Sequence, residues 1–327
     1  HYYLLFQILK MVYYKVFQKL MSEMNNKFVF VKSDERESEH IAAPKYSYWR
    51  SVFKQFLSKK STIAILIIAS IVILLSIIDP MLSGYNGVSH PNINNDSMKF
   101  VGPCFKYLFG TDSYGDNLWN VVWIGARNSL GIAGLTTLIT ITLGVTVGSI
   151  WGYSKSMDKW MIEIYNIIAN VPFTLIVFVM MYILGRGFWQ LIFAMSVTSW
   201  LGTAYFIRTQ VMIIRDREYN LASRCLGTGK WTIVKNNILP YLISIIVTSI
   251  SRDLPSYISL EVFLAWLGIG VGESTPSLGK TISANRIFMT NSGYLFWIPV
   301  AVSAVITVSL YVAGQTLADA ADPRTHR

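Results

Sequence analysis

The sequence is poor in charge, in acid and in cysteine. Asp, Glu, Lys and Arg make up only 14% of the 327 residues, while 53% are hydrophobic. That balance excludes an ordinary soluble domain and describes an integral membrane protein. Cys104 and Cys225 are the only cysteines. The layout below places them on opposite sides of a membrane, where they cannot pair. The four histidines, His1, His40, His90 and His326, lack ligand spacing, so no metal site is expected. No nucleophile–base set is visible, and the chain is read as not an enzyme. Acids are few enough to leave a net charge of +10. The positives sit beside apolar runs, so membrane topology accounts for them and no nucleic-acid partner is expected.

What is present is a series of long uncharged stretches. Before them, residues 1–60 read as a cytoplasmic N-terminal segment. Within it His1 to Leu20 is aromatic and apolar, interrupted by Lys10, Lys15 and Lys19. It reads as an interfacial helix or, preferably, as an upstream extension with Met21 the more natural start. Ser33 to His40 is polar and expected to be disordered. Residues 61–78 are uncharged up to Asp79-Pro80, just enough at ~1.5 Å per residue to cross a ~30 Å hydrocarbon core.

Residues 79–126 form a polar, turn-rich external loop, and 127–318 a core with five further spans. The second span lies between Arg127 and Lys155. There Gly144, Gly148 and Gly152 give one smooth face for close helix packing. The third runs from Ile164 to Gly185 with Pro172 as a kink, and the fourth from about Phe188 to Ile207. The fifth begins near Pro240, and the sixth covers Leu295 to Ala313. Residues 319–327 are a cytoplasmic tail. With both termini inside, cytoplasmic segments hold 15 Lys/Arg and external ones 5, as the positive-inside rule requires.

The loop 208–240 stands out. It carries Arg208, Arg215, Arg217, Arg224, Lys230 and Lys235 against Asp216 and Glu218. Glu218 to Leu226 predicts a two-turn helix, interrupted by Gly227 and Gly229. Thr228 is placed to cap a second helix running from Trp231 towards Pro240. Such a short helix, glycine hinge and second helix can present a rigid peg to a cytoplasmic partner, whereas the plain alternative is a solvated connector.

Gly268 to Gly293 reads as a flexible loop at the mouth of the pathway. Its Gly279-Lys280-Thr281 is no phosphate loop, because Ser274 stands where that motif needs glycine. Arg252 and Asp253 are costly within a span. Side chains of adjacent residues diverge by ~100° on a helix, so the two are not expected to face each other. Either they meet the pathway, water or a neighbouring subunit, or Pro255 ends the helix early and leaves them at the external interface.

The residue order of the loop resembles that of permease subunits in binding-protein-dependent ABC importers. Leu221-Ala222-Ser223, Gly227 and Leu239-Pro240 fall where that family has an acidic residue and two alanines, a glycine and a Leu-Pro. Glu218-Tyr219 precede them, as in the peptide-transporting branch. Leu221 replaces the acid and Ser223 the second alanine. Phe109 to Gly115 and Gly125 to Leu130 are similar to the segment before span two of oligopeptide and dipeptide permeases of the C type. Asp116-Asn117 stand where those have Arg-Asp. Glu261 to Gly270, Thr275-Pro276-Ser277 with Gly279, and Asp322-Pro323-Arg324 also match, so the likeness runs from Tyr48 to Arg324.

The resemblance implies an all-α integral membrane protein of six transmembrane helices with the type I ABC importer permease fold, in a bacterial plasma membrane. It implies import of oligopeptides, with Glu218, Leu221, Ala222, Ser223, Gly227, Gly229 and Pro240 in the ATPase-coupling loop. Arg252, Asp253 and Glu261 are candidate pathway or subunit contacts. The expected partners are a second homologous permease subunit, two ATPase subunits and an extracellular peptide-binding lipoprotein, together with the peptide substrate and membrane lipid. No cofactor is expected on this chain, with ATP and Mg held by the partners. The alternatives are nickel or another small solute in the same family and, in a different class, an ion-coupled secondary transporter.

Overall fold

The computed structural model describes residues 48–58, 60–272 and 274–321, with six further positions between 11 and 19. Most of the expectations for residues 1–47, and Asp322 to Arg324, lie outside the described residues. The unit that begins at Tyr48 contains no strand among the described residues, only an isolated bridge between Thr111 and Asn117. Its helices are α1 (Tyr48–Phe56), α2 (Lys60–Ser83), α3 (Leu118–Tyr153), α4 (Lys155–Ala169), α5 (Phe173–Leu184) and α6 (Phe188–Arg215). Then follow α7 (Glu218–Cys225), α8 (Lys230–Ile233), α9 (Leu239–Trp266), α10 (Leu278–Asn285) and α11 (Tyr294–Ala321).

Five continuous stretches are long and apolar enough to cross a membrane, and the bent pair α4–α5 makes a sixth if counted as one span. The end carrying residues 216–229 is called the loop end and the opposite one the far end. The main core lies between α3, α6, α9, α10 and α11, with Leu118, Ile132, Leu191, Met195, Ile258 and Leu295 fully enclosed. A second cluster at the loop end joins Ile207, Val211 and Ile214 of α6 to Ile233, Ile238 and Leu242.

The glycine face packs as its spacing foretells. A Cβ at Gly144 would lie 2.6 Å from Thr203 Cγ2, one at Gly148 2.5 Å from the Ala204 carbonyl oxygen, and one at Gly152 2.6 Å from that of Arg208. Only glycine lets α3 and α6 approach so closely.

Several boundaries differ from those read in the sequence, each for a local reason. Asp79-Pro80 does not stop the first span, which continues to Ser83, and the Trp119 indole donates to Asp79 Oδ1 at 2.8 Å. The second span starts at Leu118 rather than Arg127, because Asn117 caps it by accepting from Trp119 N at 3.1 Å. The loop expected to be external therefore ends at 117. Pro172 does more than kink the third span. Residues 170–172 break it, turning α5 by 81° from α4. Proline has no N–H to continue α4 and its φ suits the entry to α5. Finally, the 268–293 segment is not merely a flexible loop. It contains α10, whose first turn is capped by Ser277 Oγ accepting from Lys280 N at 3.1 Å.

Candidate functional site

The basic loop is more ordered than its composition suggests. Arg208 and Arg215 belong to α6 and are 8% and 7% exposed, so they are not loop positives. Arg215 grips Asp216 with two bonds, Nε to Oδ1 at 3.0 Å and Nη2 to Oδ2 at 2.9 Å, and donates to the Gly152 carbonyl at 2.9 Å. That guanidinium holds the exposed Asp216 carboxyl below the usual carboxylate range. It also places a cation beside the C-termini of both α3 and α6, where backbone carbonyls gather negative charge.

Helix α7 is a separate two-turn peg. Buried Asn220 roots it, donating to the Ile214 carbonyl at 2.9 Å and accepting from Asn237 at 2.9 Å. Arg224 donates to the Arg215 carbonyl at 3.2 Å. Gly227, at φ +82°, closes the helix with its own N–H on Arg224 O and that of Thr228 on Ser223 O, both at 3.0 Å. This left-handed closure is what a glycine just past a helix end provides.

Gly229 does not share that geometry. With φ −63° it is the residue that opens α8, in place of the expected Thr228. The second helix is not a short loop helix either, because Lys230 to Trp266 runs on as one long span. At Val234–Ile238 that span widens into a π turn, with Leu239 N–H reaching Val234 O. Pro240, next in the chain, would clash with a carbonyl four residues back in a regular helix, and the widened turn accommodates it. Leu221 (55%), Leu226 (86%) and Trp231 (69%) face outward, and Glu218, Ala222 and Pro240 are exposed beside them. Ser223 instead turns its hydroxyl onto the Tyr219 carbonyl at 2.9 Å.

A clasp that sequence reading missed joins α4 to α6. Arg208 Nη2 meets Asp158 Oδ2 at 2.9 Å, and Arg208 Nε also donates to Asp158 Oδ1. The indole of fully buried Trp151 donates to the same Oδ1 at 2.8 Å. The guanidinium lies 5.4 Å from the ring centres of both Trp151 and Tyr205. An acid in the first turns of α4 and a base near the end of an apolar run were the available signals.

The charges within α9 behave differently from expectation. The helix continues through Pro255, so Arg252 and Asp253 lie inside it. They do form a pair, Arg252 Nε to Asp253 Oδ1 at 3.1 Å, because the long arginine side chain spans the angular offset. Arg252 remains 61% exposed and Asp253 13%.

Glu261 makes no surface contact. It is fully buried and accepts from Ser129 Oγ of α3 at 2.9 Å and from Ser277 Oγ at 2.7 Å. Ser129 Oγ in turn accepts from Leu278 N at 3.0 Å. Arg252, Asp253 and Glu261 are thus not one cluster. The helix places Glu261 more than two turns beyond the other two.

The family model for inner membrane components of binding-protein-dependent transport systems matches residues 144–327, more than half of the chain. The chain belongs to this family. Over 92% of its length it is 52% identical to the oligopeptide transport system permease protein AmiD of Streptococcus pneumoniae, covering 98% of that protein. The dipeptide permease protein DppC and the oligopeptide permease protein OppC of Bacillus subtilis are each 30% identical over 92% of the chain, with 93% and 98% of their own lengths covered. A structure of the inward-facing MetNI methionine ABC transporter aligns with a TM-score of 0.50 at 18% identity, over 63% of this chain and 97% of that one. That likeness shows a shared ABC importer permease fold.

The chain is a multi-pass inner membrane component. Asp116 and Asn117, which stand where the resemblance expects Arg-Asp, both have work in the far-end loop. Asn117 is the helix cap already described. Asp116 Oδ2 accepts from the Tyr85 hydroxyl at 2.9 Å and meets His90 Nδ1 at 2.5 Å. The His90 ring stacks on Tyr114, centres 4.1 Å apart. Burial pushes the neighbouring Asp112 carboxyl up, even though the N–H groups of Asp116 and Tyr114 donate to it. Between this loop and α10 lies a cavity of about 630 Å³ whose lining includes Tyr85, His90, Tyr114 and Asn285.

Proposed function

We propose that the chain is a pathway-lining permease subunit of an ATP-driven importer of oligopeptides. The observation that carries this reading is its likeness to the pneumococcal oligopeptide permease protein along nearly the whole of both chains. It pairs with a second, similar permease subunit, and separate ATPase subunits hold ATP and Mg. A peptide-binding lipoprotein delivers the substrate from outside. The chain itself catalyses nothing and holds no cofactor.

The coupling geometry supports the same reading. Helix α7 offers Leu221 and Leu226 to a partner, and its polar roots run into the two flanking spans, to Ile214 and to Asn237. A push on α7 by closing ATPases therefore displaces spans four and five together, which would turn the pathway enclosed with the second permease subunit from inward to outward facing. Arg252, exposed at mid-span, meets the aqueous pathway or the second permease subunit, since lipid would not tolerate it.

Orientation follows from charge. With buried Arg208 and Arg215 set aside, the described residues of the loop end still carry nine Lys/Arg against six at the far end, which supports a cytoplasmic loop end. Cys104 and Cys225 are both exposed. An impermeant thiol reagent added to intact cells should label Cys104 and spare Cys225. Labelling of Cys225 alone would overturn the orientation.

The deciding experiment is ATP-dependent uptake of defined peptides by the reconstituted four-subunit complex with its binding protein. Uptake of nickel in place of peptide would favour the other solute class. Uptake by the lone chain under an ion gradient would replace the importer by a secondary transporter.

A further inference from the structure

We propose that Glu261 is a positioning residue that fastens α10 to spans two and five, so that the external ends of these elements move as one body throughout the transport cycle. The inference rests on the importer reading above. Its basis is a hydrogen-bond set in which each donor has its acceptor. Ser129 Oγ donates to Glu261 Oε2 and accepts from Leu278 N, while Ser277 Oγ donates to Glu261 Oε1 and accepts from Lys280 N. Both serine hydroxyls thus donate and accept at once, and the carboxylate receives both inside a fully buried site. To part these elements would leave a buried carboxylate without its donors, which is far costlier than breaking the same bonds in water.

The surrounding packing forbids sliding as well as separation. A Cβ on Gly125 would stand 3.1 Å from Leu278 N, and one on Gly279 2.7 Å from Glu261 Oε1 and 2.9 Å from Val262 Cα. Asn128 Nδ2 adds a bond to the Pro276 carbonyl at 2.7 Å. Serine side chains are short and carry one rotatable bond before the oxygen. They have no reach with which to follow a displaced partner, unlike arginine or lysine. The stretch Gly125 to Leu130 and, more than 130 residues later, the neighbouring stretches Glu261 to Gly270 and Thr275 to Gly279 thereby form one fixed external block. Glu261 works at the centre of that block and not on the pathway.

The test uses the assembled complex with Cys104 and Cys225 replaced by serine. Asn128→Cys with Pro276→Cys, oxidised to a disulfide, ties the block together and leaves Glu261 and both serines intact. The cross-linked complex should take up peptide at the rate of its reduced form, and arrest of uptake by the cross-link would overturn the proposal. Glu261→Gln must donate where the carboxylate accepted, which strands one serine hydroxyl. It should lower peptide uptake per ATP hydrolysed by about tenfold, the equivalent of roughly one hydrogen bond, at unchanged membrane abundance. An unchanged ratio would equally overturn the proposal. If Glu261→Gln fails to accumulate, Ser277→Ala carries the same measurement with the same two outcomes. Should the unmodified complex move no peptide at all, the importer reading fails instead. The block is then judged by ATP turnover, which the disulfide should leave unchanged and whose arrest would overturn it.

Discussion

At the loop end, beside the neutral Asn220 root of α7, the contacting side chains include fully charged ones: Asp158 with Arg208, and Asp216 with Arg215 and Arg224. They are long and partly reachable by water, with Asp158 27% and Asp216 59% exposed. At the far end, one carboxylate is held by uncharged serine donors and backbone, wholly out of water. Exposed ion pairs are individually weak and can exchange partners with little penalty, whereas a buried acceptor with fixed donors cannot. The contrast places exchangeable contacts at the loop end and fixed ones at the far end; on the importer reading proposed above, motion belongs where the ATPases would act and stiffness where substrate would arrive. Three of the loop-end groups, Arg208, Arg215 and Trp151, are themselves buried. They mark where the moving part is anchored.

The sharpest way to break the comparison is at that anchor. Arg208→Ala leaves Asp158 and the Trp151 indole without their cation. Removing one partner of a largely buried pair costs about 3–5 kcal/mol, so membrane abundance and the unfolding temperature of the purified chain should both fall steeply. Wild-type values in this variant would mean the clasp contributes nothing.

Next in size is the hinge. Gly227→Val forces a β-branched residue to φ +82°, a strain of about 1–3 kcal/mol, and the register of α7 should shift. Transport-linked ATP turnover should be lost while the protein remains in the membrane. Gly229→Ala should be nearly silent, because Gly229 has an ordinary φ and only Thr232 Oγ1, at 3.8 Å, near its added methyl. Equal defects in the two variants would remove the distinction.

The mid-span charges should give an intermediate effect. Asp253→Asn and Arg252→Leu are expected to lower uptake more than abundance, since Arg252 has no partner within hydrogen-bonding reach in this chain beyond Asp253 among the described residues. Uptake per unit of membrane protein is the measure, and normal uptake in both variants would move the pair out of the pathway.

The smallest effect is expected in the external loop. Burial raises Asp112 above its unfolded value, so the folded loop binds the proton more readily than the unfolded chain does. That contribution to stability is present below the ordinary carboxylate range and lost as pH rises through the folded value. Asp112→Asn keeps an oxygen for Tyr114 N and Asp116 N without the buried charge. It should therefore match or slightly exceed the wild-type melting temperature at neutral pH, with the difference vanishing on acidification. A marked loss at pH 7 would show that the charge is required.

The sequence made the apolar segments, the glycine face and the end of the short helix at Gly227 legible, because each is written in neighbouring residues. It could say that residues 164–185 are apolar but not that they turn by 81°, since hydropathy carries no direction. Pro240 was visible as punctuation, but its consequence, a π turn just before it, depends on the helix continuing. Glu261 was picked out as a rare charge, but its buried serine donors were not legible, since they lie 132 residues before it and 16 after. Asp158 and Arg208, 50 residues apart, were hidden for the same reason.

The length of α3 has one more consequence. Its 36 residues measure roughly 54 Å at ~1.5 Å each, nearly twice the ~30 Å hydrocarbon thickness. To hide it wholly in lipid would take a tilt near 56°, beyond the ~0–40° range that spanning helices adopt. The surplus belongs at its first turns, where Asn120, Arg127 and Asn128 interrupt the apolar surface. Those turns form a mast rising ~15 Å, or about ten residues, clear of the hydrocarbon. The loop of residues 84–117 is carried at its top, so an arriving solute meets protein well before it meets lipid.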